Sequence, residues 1–256
     1  MLDRIWLIGG TRESREIATA LAEHRIPIAI SVTTQTARSL YSESPYLNIR
    51  VGKLDRDSIE QFLRQERIRG ILDASHPYAM AVSELATTAA EEYQLPYLRF
   101  ERPALEDEEH VLHLPSFNDL LGGDDLRSER VLLVVGYQIL PRFQPWQERS
   151  TLFARLLPSQ IALETALAAG FTPDRLIALR PPVSAELEAA LWRQWQITMV
   201  VAKASGKAGG EDVKRQVAAE LGVKLVIIDR PVLSYPQQTS DIAEAVTFCL
   251  RNVASN

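Results

Sequence analysis

The chain has 256 residues, of which 46% are hydrophobic and 24% charged, and its formal net charge is −5. This is the composition of a soluble globular protein of one large or two small domains, and the acidic balance argues against a general nucleic-acid binder, which is usually basic. No apolar run approaches the roughly 18 residues of a membrane span, and the N-terminus lacks the basic start and long apolar core of a signal peptide, so no membrane partner and a cytoplasmic setting are expected.

Arg4 to Ile8 is a short apolar run with strand character, followed at once by Gly9, Gly10 and Thr11. Arg12 to Leu21 then reads as a helix, with Ile17, Ala20 and Leu21 on one stripe. A strand, a glycine turn and a helix start are how a dinucleotide-binding unit begins, because glycines let the backbone approach a phosphate and helix N–H groups face it. Gly9, Gly10, Thr11, Arg12 and Glu13 are therefore candidate cofactor contacts. The pattern is GGTRES rather than G-x-G-x-x-G, and a tight turn without a ligand explains it nearly as well.

Ile26 to Val32 is a second strand. NAD-selective sites carry an acidic residue near this point for the ribose hydroxyls, and none is present. Arg38 and the hydroxyls of Ser31, Thr33 and Thr34 suit a 2′-phosphate instead, which leans toward NADP; a solvated surface arginine is the alternative.

Leu47 to Val51 is a third strand, Asp55 caps a helix to Leu63, and Gly70 to Leu72 is a fourth strand. That strand leads into ILDASHPYA at 71–79. In open parallel sheets ligands bind beyond the carboxyl ends of strands, so Ser75, His76 and Pro77 are candidate cofactor contacts. His76 and Tyr78 are candidate proton donors, or walls of the nicotinamide pocket. A plain helix start, capped by Asp73 or Ser75 with Pro77 in its first turn, is the competing reading. A helix from Val82 to Tyr93 and a strand from Leu95 to Phe100 follow, ending in Arg99, Glu101, Arg102 and Pro103. The acidic stretch Ala104 to His110 is a connection, which divides the chain into a dinucleotide-binding domain at residues 1–104 and a second α/β domain at 105–256.

The second half again alternates strands (111–114, 130–135, 151–156, 175–179, 197–202, 224–228) with helices (159–169, 184–195, 211–221, 241–251). After the strand at 197–202 comes a loop with Lys203, Ser205, Gly206, Lys207, Gly209 and Gly210, and Lys214 lies one turn into the next helix. Backbone N–H groups, ammonium charges and a hydroxyl make an anion site, with a flexible surface loop as the alternative. It is not a P-loop. The segment closes on Arg230-Pro231 as the first half closes on Arg102-Pro103. This single echo implies a fold of two similar parallel-sheet α/β domains facing across a cleft. Arg99, Arg102 and Arg230 stand at strand ends, where they suit the carboxylates of a large anionic ligand.

Cys249 is the only cysteine and reads as a buried apolar residue; with four scattered histidines it offers no spaced metal-ligand set, so no metal is expected. There is no G-x-S-x-G elbow, and hydride transfer needs no protein nucleophile.

These motifs together resemble the precorrin-6A reductases of cobalamin biosynthesis, including the cobalt-precorrin-6A reductases. The resemblance is carried by LIGGTRES (7–14), LDASHPYA (72–79), YLRFERP (97–103), LLVVGYQIL (132–140), ARLLP (154–158), KASGKAGGEDVKRQVAAELG (203–222) and IDRP (228–231). It implies two Rossmann-like domains with an interdomain cleft. The implied reaction passes a hydride from NADPH, or NADH, to one double bond of precorrin-6A or its cobalt form, giving the corresponding precorrin-6B. The family's nucleotide turn maps onto Gly9, Gly10 and Thr11, and its substrate-facing loop onto Lys203, Ser205, Gly206, Gly209 and Gly210. The chain departs from the family at Pro181, Pro182 and Val183, where Gly-Pro-Phe is frequent, and at Val135, where threonine is common. An NADP-binding redox sensor and a reductase of another anionic metabolite are the other readings. Both monomer and homodimer remain open.

Overall fold

The computed structural model describes residues 2–106 and 108–253, which form two units, each with its own sheet. The first holds strands β1 (Arg4–Ile8), β2 (Ile28–Val32), β3 (Leu47–Val51), β4 (Ile68–Asp73) and β5 (Tyr97–Phe100). Its helices are α1 (Arg12–Glu23), α2 (Gln35–Arg38), α3 (Arg56–Gln65) and α4 (Met80–Glu92). The second holds β6 (Val111–Leu114), β7 (Arg130–Val134), β8 (Thr151–Leu156), β9 (Leu176–Ala178), β10 (Met199–Lys203) and β11 (Lys224–Ile228), with α5 (Phe117–Gly122), α6 (Gln160–Ala168), α7 (Ala185–Gln194) and α8 (Glu211–Leu221). Two further elements, β12 (Gln238–Thr239) and α9 (Ile242–Val253), follow.

Both sheets are parallel, with orders β12-β5-β4-β1-β2-β3 and β6-β11-β10-β7-β8-β9. Counted from its own first central strand, each reads 3-2-1-4-5 plus one edge strand, the doubly wound order. The central strands are buried on both faces, which is why RIWLI and MVVAK are runs rather than alternations. On one face of the first sheet α1 contributes Ile17, Ala18 and Leu21 to a core with Ile5, Leu7 and Ile30; on the other, Ile59, Phe62 and Ala86 from α3 and α4 pack against Trp6 and Ile8. Capping boxes start α1 (Thr11 with Ser14) and α3 (Asp55 with Ser58). By contrast α4 begins after Ala79 with no side-chain cap, so neither Asp73 nor Ser75 caps it.

The units divide after Pro103 and again after Pro231, which corrects the assignment of residues 105–256 to one domain. The chain from Val232 onward returns to the first unit. There β12 pairs with β5, through Gln238 beside Arg99 and Thr239 beside Phe100, while Ala245, Val246 and Cys249 of α9 join the core of α1. The physical reason is coverage: α1 spans only part of its face, and the apolar stripe of α9 fills the rest against β1, β4 and β5. Each sheet thus takes its edge strand from the chain that follows the other unit's fifth strand, with an Arg-Pro pair at both crossings. Burial pushes the Cys249 thiol up, consistent with a packing role. Among the described residues no helix is long and apolar enough to cross a membrane.

A chain ending at Pro231 should lose the first unit selectively. Hydrogen exchange should show β1 and β4 amides unprotected while β7 and β10 keep protection; equal protection in both sheets would contradict the placement of α9.

Candidate functional site

The turn after β1 has most of its donors tied down. Gly9 N–H donates to Ser31 O (3.0 Å), Gly10 N–H to the Tyr41 hydroxyl (2.8 Å), Thr11 N–H to Ser14 Oγ (3.0 Å) and Ser14 N–H to Thr11 Oγ1 (3.0 Å). The N–H groups of Arg12 and Glu13, in the first turn of α1, are then the donors with no acceptor among the described residues. Gly10 takes φ +101°, a conformation side chains resist, and a Cβ on Gly9 would collide with the Tyr41 oxygen. Both glycines are required by the turn, and the arrangement fits a phosphate at the helix start. Arg12 itself is exposed and paired with Glu16.

Thr11 also reaches sideways: its hydroxyl donates to Ala74 O (2.9 Å), tying the turn to the loop after β4. That loop rests on Asp73, which is fully buried. Its carboxylate accepts from Arg99 (2.8 Å), Ser75 N–H (3.0 Å), Ser83 Oγ (2.6 Å) and Tyr97 Oη (2.9 Å). Arg99 also donates to Ser75 Oγ (2.9 Å), pairs with Glu101 (2.8 Å) and lies over the Tyr235 ring (5.5 Å). Burial opposes the charge of Arg99, yet Asp73 and Glu101 hold its pKa above the usual value. Expected as a substrate ligand, Arg99 is instead enclosed (0% exposed) and acts as an internal brace of the loop. Burial and the adjacent Asp73 push the Tyr97 phenol far up, so it remains a donor.

Above this brace, Thr11, Glu13, Ser75, Pro77, Glu101 and Arg102 line one recess at the strand ends of the first unit. Arg102 pairs with Glu13 across it (3.0 Å). His76 is exposed and Tyr78 half-buried, with ring centroids 5.8 Å apart. His76 Nδ1 accepts from Tyr78 N–H (3.3 Å), which places the proton of a neutral ring on Nε2. Beyond β2, Thr33 and Arg38 are exposed and Thr34 caps α2, whereas Ser31 is buried and accepts from the Trp6 indole (2.8 Å), which corrects its expected place beside the cofactor.

The glycine-rich loop of the second unit occupies the position after β10 that the His-Pro-Tyr loop occupies after β4. Gly206 N–H donates to Glu211 (2.8 Å), and Gly210 takes the left-handed conformation that lets α8 begin. Arg230 donates to Ala204 O (3.0 Å), holding the loop's start against the end of β11. Lys207 is exposed; Lys203 lies over the Phe117 ring (5.8 Å), with its pKa lowered by burial. Lys214, one turn into α8 and expected to join the loop's anion site, lies beneath the loop at 2% exposure, donating to Gly209 O (3.2 Å) and Gly210 O (2.7 Å). Burial and the nearby Arg155 pull its ammonium down to about 8, against Glu188, Glu211 and Asp212.

Sequence reasoning missed Tyr41, Asp73, Tyr97 and Glu211 as parts of the site. Only Asp73 carried a signal, as an acid at the end of an apolar strand; the others are recognisable only once strands are paired.

A protein-family model described as Precorrin-6x reductase CbiJ/CobK matches residues 4–250. The chain is 46% identical to a cobalt-precorrin-6A reductase of Synechocystis sp., covering 99% of this chain and 98% of that one. It is 28% identical to a cobalt-precorrin-6A reductase of Priestia megaterium, over 94% and 96%. Among solved structures it is similar to one described as CobK precorrin-6A reductase, with TM-score 0.78, 26% identity and coverage of 98% and 96%.

Arg99→Met should cost about 3–5 kcal/mol by urea unfolding, because it leaves Asp73 buried and unpaired. The Asp73→Leu, Arg99→Met double variant should cost less than the two singles summed; simple additivity would contradict the pairing. For Lys214 the folded pKa of about 8 lies below the ordinary lysine value of 10.5. The unfolded chain holds the proton more tightly between these values, so stability should rise with pH across that window, and the burial penalty is full below it. Relative to Lys214→Met, the natural chain should gain up to about 3 kcal/mol across the window; parallel stability curves would contradict it.

Proposed function

We propose that this chain, which belongs to the precorrin-6x reductase family, uses NADPH to reduce one double bond of cobalt-precorrin-6A, giving cobalt-precorrin-6B. The observation that carries the reading is the juxtaposition of the nucleotide turn and the His-Pro-Tyr loop, joined through the Thr11 hydroxyl on Ala74 O (2.9 Å) at the strand ends of the first unit, where open parallel sheets bind ligands. When bound, the nicotinamide would supply a hydride to one macrocycle carbon, a proton would go to the neighbouring carbon, and NADP+ would be the other product.

The chain's residues divide this work. The N–H groups of Arg12 and Glu13 receive the phosphates at the positive end of α1. Thr33 and Arg38, exposed beyond β2 with no acidic neighbour to select a free ribose, receive the 2′-phosphate, which favours NADPH over NADH. Ser75 and Pro77 form a wall of the recess. His76, with its proton on Nε2, and Tyr78 are the proton donors of the same loop. In the second unit, the side chains of the Lys203–Gly210 loop meet the carboxylates of the macrocycle, while the N–H groups of Ala204, Gly206, Gly209 and Gly210 stay engaged within the unit and Lys214 adds positive charge from below. The cobalt form is favoured because the relatives of Synechocystis and Priestia are both named for it.

The reading is tested anaerobically with the purified chain, NADPH and either cobalt-precorrin-6A or its metal-free form. The macrocycle spectrum should shift with loss of one NADPH per molecule, faster for the cobalt form, and no NADPH loss with either would overturn the assignment. Arg38→Ala should lower kcat/KM for NADPH about ten-fold and leave that for NADH unchanged, since one charge-assisted phosphate contact is removed.

A further inference from the structure

The segment that follows β2 does not end its part in the nucleotide site at Arg38. Three residues on, Tyr41 turns inward, buried at 6% exposure. Its hydroxyl lies 2.8 Å from Gly10 N and 2.6 Å from Ser14 Oγ. Ser14 Oγ in turn lies 2.8 Å from Thr11 O, an acceptor only, so the serine proton goes there. The remaining protons follow: Gly10 N–H donates to the tyrosine, the tyrosine O–H donates to Ser14, and Ser14 donates to Thr11 O. The same tyrosine donates its backbone N–H to Arg38 O (3.1 Å). One residue therefore joins the backbone of the phosphate turn to the backbone of the segment that carries Arg38. The absence of a Cβ on Gly9 is the counterpart of this joint, because the tyrosine oxygen occupies that space.

We infer that Tyr41 is a positioning residue that couples the phosphate turn to the 2′-phosphate-reading segment, so that discrimination between NADPH and NADH passes through its hydroxyl. The inference rests on the placement of the nicotinamide nucleotide at this turn. NADPH engages both joined parts and depends on their spacing, whereas NADH engages the turn alone. Tyr41→Phe keeps the buried ring and removes the joint. Ser14→Ala interrupts the same hydrogen-bond chain from its other end.

The test is calorimetric binding of NADPH and of NADH to the full chain without tetrapyrrole, for the natural chain, Tyr41→Phe and Ser14→Ala, with a thermal melt of each. Both variants should weaken NADPH about ten-fold and NADH at most about three-fold, so that the preference narrows. A loss of the same factor for both nucleotides, or no loss for either, would overturn the coupling while leaving the nucleotide site in place. A natural chain that binds neither nucleotide would overturn the site itself, and the coupling with it. A merely structural role would lower the melting temperature and leave the NADPH to NADH ratio where it was, which also contradicts the inference.

Discussion

A carboxylate with no access to water must be surrounded by donors, and the surroundings of Asp73 shape the working end of the first unit. The acid sits at the last position of a central strand, where a sheet meets its ligand. Four donors converge on it, from β5, from α4 and from the loop it supports. Because an unpaired charge in this place would be costly, β5, the helix and the loop are constrained to one arrangement. The loop carrying His76 and Tyr78 is thereby fixed by groups that stand behind it. Tyr235, on the chain that returns after the second unit, covers the guanidinium of Arg99 and extends the constraint to the C-terminal segment.

The second unit meets the corresponding problem with the opposite sign. Its loop after β10 is rich in glycine, with few side chains of its own to anchor it. Lys214 holds two of its carbonyls and Glu211 one of its N–H groups, and Arg215 pairs with Glu211 from within the same helix. Arg215 also reaches His113 (3.3 Å), which is bonded to Asp229 at the end of β11 (2.8 Å). Arg155 and Glu188, another buried pair, lie at the end of β8 and on α7, with Glu188 also accepting from the Trp192 indole. Two loops in equivalent topological positions are thus braced by buried ionic groups, one carrying ring side chains and the other glycines and lysines.

The alternation of strands and helices was legible because parallel strands buried on both faces appear as unbroken apolar runs, as in RIWLI and in the strand before the glycine loop. Asp55 was legible as a cap for its local chemistry. The return of the C-terminal segment was not, since β12 is two residues long and α9 shows an apolar stripe without saying which sheet it covers. In the site, the glycines and the His-Pro-Tyr loop stood out as local patterns. Arg99 and Lys214 did not declare themselves as braces, because a basic residue at a strand end or in the first turn of a helix looks the same in sequence whether it faces a ligand or a buried partner. Tyr41 carried no signal at all; its meaning depends on a contact 31 residues away in the chain.

In the proposed function the first unit takes the nucleotide through the start of α1, where the glycine N–H groups are already engaged and those of Arg12 and Glu13 have no acceptor among the described residues. The most direct measurement is backbone amide NMR of the full chain during titration with NADPH. The largest shifts should fall on Arg12 and Glu13, followed by the segment around Arg38. Shifts concentrated instead on the Ser205–Gly210 loop, with Arg12 and Glu13 unmoved, would contradict it.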